Sequence, residues 1–84
     1  MKIKMLCTVR PDIRFLGAPG TVLRVGEVYE ATANKNGAVS AWCSNGELLG
    51  VKPAEFEFVS LPKWLFDLWS KDWPYSTENA AIEE

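Results

Sequence analysis

The sequence predicts a mainly β domain: a small five-stranded barrel over residues 1–60, one amphipathic helix over 61–73, and an acidic flexible tail over 74–84. Three observations predict it. Short segments alternate polar and apolar residues with a period of two, as half-buried strands do. Glycine-containing turns join them at close spacing, two of them Asn-Gly. After residue 60 the apolar period lengthens to that of a helix.

Residues 2–9 open the barrel, with Ile3, Met5, Cys7 and Val9 on one face and Lys2, Lys4, Leu6 and Thr8 on the other. Residues 10–20 contain Pro11, Gly17, Pro19 and Gly20. Proline lacks a ladder donor and glycine weakens strands, so a long loop is expected there. Phe15 and Leu16 within it are expected to plug one barrel end. Residues 21–25 form a short β-branched strand ended by Gly26-Glu27. In residues 28–33, Glu30 and Thr32 look outward and Tyr29, Ala31 and Ala33 inward. Asn34-Lys35-Asn36-Gly37 is the strongest local signal, because Asn-Gly tolerates the positive φ of a tight hairpin. Residues 38–43 pair back and meet Ser44-Asn45-Gly46, a second such turn. Residues 47–51 follow, then a single 3₁₀ turn at Lys52-Pro53-Ala54-Glu55, and residues 56–59 complete the sheet. Short strands with tight connections point to a barrel, which removes exposed sheet edges.

The helix is read from Leu61, Trp64, Leu65, Leu68 and Trp69, which recur at i, i+3, i+4, i+7 and i+8. Ser60 fits the N-cap and Pro62 the first turn. Pro74 disfavours a helical Trp73, so the helix should stop near Lys71.

At 84 residues the chain has room for one domain, and 48% hydrophobic residues with four Trp at a net charge of −2 give it a core. The charge is uneven: residues 1–25 carry a net +4, and 26–60 and 61–84 carry −3 each. The overall acidity argues against non-specific nucleic-acid binding. No stretch has the length of a signal-peptide core or a membrane span. With two cysteines and no such segment, a reducing cytoplasm is expected.

The residues Val25-Gly26-Glu27-Val28-Tyr29-Glu30-Ala31, then Asn36-Gly37, Asn45-Gly46-Glu47 and Pro53-Ala54-Glu55-Phe56-Glu57-Phe58-Val59 carry a resemblance. Over residues 21–59 the chain resembles the small SH3-like barrel proteins of bacteriophages and prophages, most of them without assigned function. The resemblance implies an SH3-like barrel encoded by a phage and working in the cytoplasm of a bacterial host. It does not extend to a ligand, because one fold hosts many activities. The loop at residues 10–20 pairs Asp12 with Arg10 and Arg14, unlike the acidic loop of polyproline-binding SH3 domains, so polyproline recognition is not expected.

The chain has no histidine, which removes the commonest general base and every imidazole metal site. Two cysteines cannot make a four-thiolate zinc site, and no phosphate-binding glycine loop is present. A non-catalytic binding protein without cofactor or metal is expected. Cys7 and Cys43 are expected inward as small hydrophobes, a labile disulfide being the alternative.

Trp42 lies on the Ser40-Ser44 face of its strand and is expected to point outward, covered by the helix or by a partner. Phe66 and Trp73 fall off the helix stripe, and one small barrel cannot cover aromatics on two sides of a helix. Trp42, Phe66, Trp69 and Trp73 are therefore the candidate protein-binding residues, for a host protein or for another copy of the chain. The alternative is a nucleic-acid or nucleotide site on Lys2, Lys4, Arg10, Arg14 and Arg24, where charge beside aromatics suits stacked bases. A small anionic signal molecule would use the same basic residues.

Overall fold

The computed structural model describes residues 1–11 and 20–83. The expected plug of Phe15 and Leu16 lies outside them. The described elements are β1 (Lys2–Met5), β2 (Val28–Ala33), β3 (Val39–Trp42), β4 (Leu48–Gly50), a 3₁₀ turn (Pro53–Glu55), β5 (Phe56–Pro62), α1 (Lys63–Asp72), α2 (Pro74–Thr77) and β6 (Ala81–Glu83).

The strands form one six-stranded sheet in the order β4-β3-β2-β1-β5-β6. Every pairing is antiparallel except β5 with β6, which is parallel. The fold is thus mainly β, but the sheet is open and mixed where a closed five-stranded barrel was expected. Two local differences account for this. Residues 21–25 contribute only a bridge between Val9 and Leu23, with reciprocal N–H···O bonds of 2.8 and 2.9 Å. Residues 81–83, expected in a loose tail, instead pair beside β5 as a sixth strand.

Both Asn-Gly hairpins form, and they share one geometry. The N–H of Asn34 donates to the carbonyl of Ala38 and that of Cys43 to Glu47, closing three-residue loops in which only Gly37 and Gly46 take positive φ, +89° and +87°. This is a turn with the glycine in the left-handed position, so no asparagine has to go there. The asparagine carboxamides brace the loops instead: Asn34 Oδ1 accepts from the N–H of Asn36 and Ala38, and Asn45 Oδ1 from that of Glu47.

The core lies on one side of the sheet. Ile3, Met5, Ala31, Val39, Ala41, Phe56 and Phe58 face it, with Leu61, Leu65 and Trp69 closing over them. Phe56, Phe58 and Leu61 all point inward although their spacing is two and then three. A register irregularity explains it: Ile3 pairs with Phe58 but Lys2 with Ser60, so Val59 is an extra residue that turns the later alternation over.

Helix α1 starts two residues later than expected, after Pro62, which is still strand, and runs to Asp72. Leu61 therefore belongs to β5, where it is fully buried, and of the stripe residues that lie in α1 only Leu65 and Trp69 are buried. Trp64 and Leu68 are exposed, because a single row of this helix reaches the sheet. Trp69 stacks edge-on against Phe56 and Phe58, with ring centroids 5.4 and 5.1 Å away, and its indole N–H donates to the carbonyl of Gly37 at 2.8 Å. That bond fastens the helix to the β2–β3 hairpin.

Residues 74–77 fold as α2 and pack on α1 and β5. Ser76 and Thr77 are buried, and the hydroxyls of Ser70 and Thr77 hydrogen-bond at 2.9 Å. Proline at the first position of α2 is compatible with a new helical turn, so Pro74 ends one helix and begins another.

Candidate functional site

The four candidate aromatic residues do not form one surface. Trp69 is a core residue, 7% exposed, and contributes no exposed ring to a binding surface. Phe66 is partly buried against the core. Trp42 is 42% exposed but points from the face of β3 opposite Val39 and Ala41, whereas α1 packs on the core side. The helix therefore does not cover it. Trp73 is 40% exposed, at the C-terminal end of α1, with Tyr75 edge-on at 6.2 Å.

Around Trp73 the fold builds a groove of about 350 Å³. One wall is the β2–β3 loop from Asn36 to Val39, the second is Val51, Lys52 and Pro53, and the third is Leu68, Asp72 and Trp73 of the helix end. Trp69 lies at its base, bonded to Gly37. The groove exists because the hairpin and helix are tied at that bond, while Leu68 and Trp73 project on either side of it. Its lining is mostly apolar, with Asn36 adding a carboxamide and Lys52 and Asp72 one charge of each sign. A second groove, of about 400 Å³, lies at the other end of the helix beside Trp64, Pro62, Ala33 and Met1.

The basic residues are dispersed. Lys2 Nζ lies 3.9 Å from Glu30 Oε1, its cross-strand neighbour, and Lys4 stands opposite Glu57 of β5. Strand pairing thus sets an acid beside each β1 lysine. Arg10 and Arg24 are exposed and flank the Val9–Leu23 bridge. The backbone there is held by the Tyr29 hydroxyl, which accepts from the N–H of Arg24 and donates to Glu27, both at 2.8 Å. Arg14 lies outside the described residues.

Cys7 is exposed, contrary to expectation, because β1 ends at Met5 and the alternation stops there. Cys43 is buried as expected, and both thiols are free. Burial pushes the Cys43 thiol up, against a smaller downward pull from a backbone hydrogen bond with Val22. The folded chain keeps this proton at pH values where the unfolded chain loses it, so this contribution to stability is intact at neutral pH and falls as pH rises through the range of free-thiol ionisation. Iodoacetamide at pH 8 is expected to modify Cys7 alone in the native chain and both thiols in urea. Mass spectrometry checks this, and rapid native labelling of Cys43 would contradict its burial.

Among the described residues no group of His, Cys, Asp and Glu side chains is arranged to hold a metal ion, and no helix is long and apolar enough to cross a membrane. Of the residues lining the groove, Trp69 and Trp73 alone were foreseen as binding residues. Leu68 was assigned to the buried stripe, and Pro53 only to a turn. The exposed Leu48 facing Trp42 was legible in principle, since the Asn45-Gly46 hairpin sets that register.

Fold and surface together define a small mixed-sheet domain that displays aromatic residues at three separate places: Trp42, Trp64, and Trp73 with Tyr75. Searches against protein families, characterised proteins and solved structures find no match.

Proposed function

We propose that the chain is a non-catalytic protein–protein interaction module whose binding site is the groove between the β2–β3 hairpin, the 3₁₀ turn and the end of α1. The observation that carries the reading is the exposed Trp73 beside Leu68 and Pro53 in a preformed, mostly apolar groove. Interface hot spots are enriched in tryptophan seated in such settings, and two charges on the rim suit orientation of a bound segment. The order of pairing supports an SH3-like arrangement: β1 lies between β2 and β5, a long connection follows β1, and a single 3₁₀ turn precedes β5. With the resemblance over residues 21–59, this supports a phage-encoded domain that engages a protein of its bacterial host.

The test compares capture of bacterial lysate proteins by the wild-type chain, by Trp73→Ala and by Trp42→Ser. A specific partner should be retained by wild type and Trp42→Ser, and lost at least about tenfold by Trp73→Ala. Trp73→Ala should melt within a few degrees of wild type, since it removes a half-exposed ring. Equal retention by Trp73→Ala would overturn the reading. So would tight binding of oligonucleotides at about 50 mM salt, the outcome expected of the basic-residue alternative.

A further inference from the structure

We propose that the outer edge of β4 is a self-association site, at which two copies of the chain pair antiparallel about a twofold axis. The site lies apart from Trp73 itself, and the two regions share Lys52, which follows β4 and also lines the Trp73 groove.

Strand β4 ends the sheet, and no strand lies beyond it among the described residues. The hydrogen bonds from Cys43 N–H to Glu47 and from Val51 N–H to Val39 fix which residues face β3. Residues 43 with 47 and 39 with 51 are the bonded pairs, so Ala41 with Leu49 is the bonded pair between them. The N–H and C=O of Leu48 and Gly50 therefore point away from β3, along the edge.

Gly50 gives the second observation. Glycine weakens a strand interior and commonly marks a turn, a bulge or a close approach of another backbone. Gly50 lies in none of the positive-φ conformations that favour glycine, and a Cβ there would meet nothing nearer than Ser40 Oγ at 3.9 Å. Neither its conformation nor its own fold requires the missing side chain. Two positions along the same face stands Leu48, 49% exposed and directly opposite the exposed Trp42.

An antiparallel copy satisfies all of these together. Placing Leu48 opposite the second copy's Gly50, and the reverse, lets the outward backbone groups bond reciprocally. The two leucines then meet diagonally over the two glycines, beside each copy's Trp42. Acidic Glu47 precedes the strand and basic Lys52 follows it, so an antiparallel approach brings the acidic end of one strand to the basic end of the other. A parallel approach would set like beside like. The Lys52 N–H is already held by Glu55 Oε1 at 2.7 Å and Pro53 has none, so pairing stops there and the register is limited. A strand complementary to itself in spacing and charge identifies its occupant as a second copy.

Sedimentation equilibrium of the full chain tests this. Wild type should move from 9.4 kDa toward twice that mass as concentration rises to about 500 µM, within the weak range expected of a small interface. Gly50→Val should raise the dissociation constant at least about tenfold while leaving the melting temperature equal or higher, because valine suits a strand and only the second copy opposes it. Leu48→Lys should do the same, and Trp73→Ala should leave the dimer intact. A wild-type chain that stays monomeric throughout overturns the proposal. So does a dimer indifferent to both edge variants, or an edge that captures a different extended peptide while the chain itself stays monomeric.

Discussion

Replacing Trp69 with alanine is expected to lower the unfolding free energy by about 3–5 kcal/mol, the range for deleting a large core aromatic. A chain of this length has about 4–13 kcal/mol in total, so the variant should be unfolded or close to it near body temperature. The size of the effect follows from what the ring does. It forms one vertex of an edge-to-face triangle with Phe56 and Phe58, whose own centroids are 5.0 Å apart. It is also where the helix meets the sheet. Trp69→Phe separates the two roles: it keeps a ring in the triangle but removes the buried N–H that satisfies the Gly37 carbonyl, at about 1–3 kcal/mol. Urea denaturation followed by circular dichroism measures both. A cost below about 1 kcal/mol for the alanine variant would mean that the helix is not held to the sheet as described.

The second large effect is expected at Gly37. Its φ of +89° is costly for any residue with a Cβ, about 1–2 kcal/mol. A Cβ built there would also lie 2.5 Å from Leu68 Cδ2, so that side chain must move. Gly46 is the internal control, because it has nearly the same φ, +87°, with nothing within 4 Å of the added atom. Gly46→Ala should show the backbone cost alone, and Gly37→Ala that cost plus the disturbance of the helix contact. Equal losses would mean that Leu68 moves aside freely. Gly37→Ala and Trp69→Phe should also be non-additive by more than about 0.5 kcal/mol, since the Gly37 carbonyl is the acceptor for Trp69. A double-mutant cycle reads that coupling directly. Because Leu68 also lines the Trp73 groove, Gly37→Ala should weaken partner binding, which Gly46→Ala should leave unchanged.

These two positions mark where the sequence was legible and where it was not. Gly37 was identified as a hairpin residue from four consecutive residues. That the same glycine receives an indole from residue 69 has no local signature. Trp42 was correctly placed on the outward face of its strand, because strand alternation is a property of the segment itself. Trp69 was assigned both to the helix stripe and to the binding surface, and only docking decided between them. Helical periodicity identifies neighbours on a face but not how wide a strip of that face the sheet can cover.

The sequence alone determined the elements whose causes lie within a few residues: the alternating strands, the two glycine-closed hairpins, the proline-led 3₁₀ turn and a helix ending before Pro74. Tertiary structure decided the extra residue at Val59, the parallel pairing of Ala81–Glu83 with β5, the open sheet and the separation of Trp42 from Trp73. The physical reason is range. A turn is selected by the φ angles its own residues tolerate. A parallel strand pair here joins residues about twenty positions apart through two helices, and becomes favourable only once the intervening chain has packed.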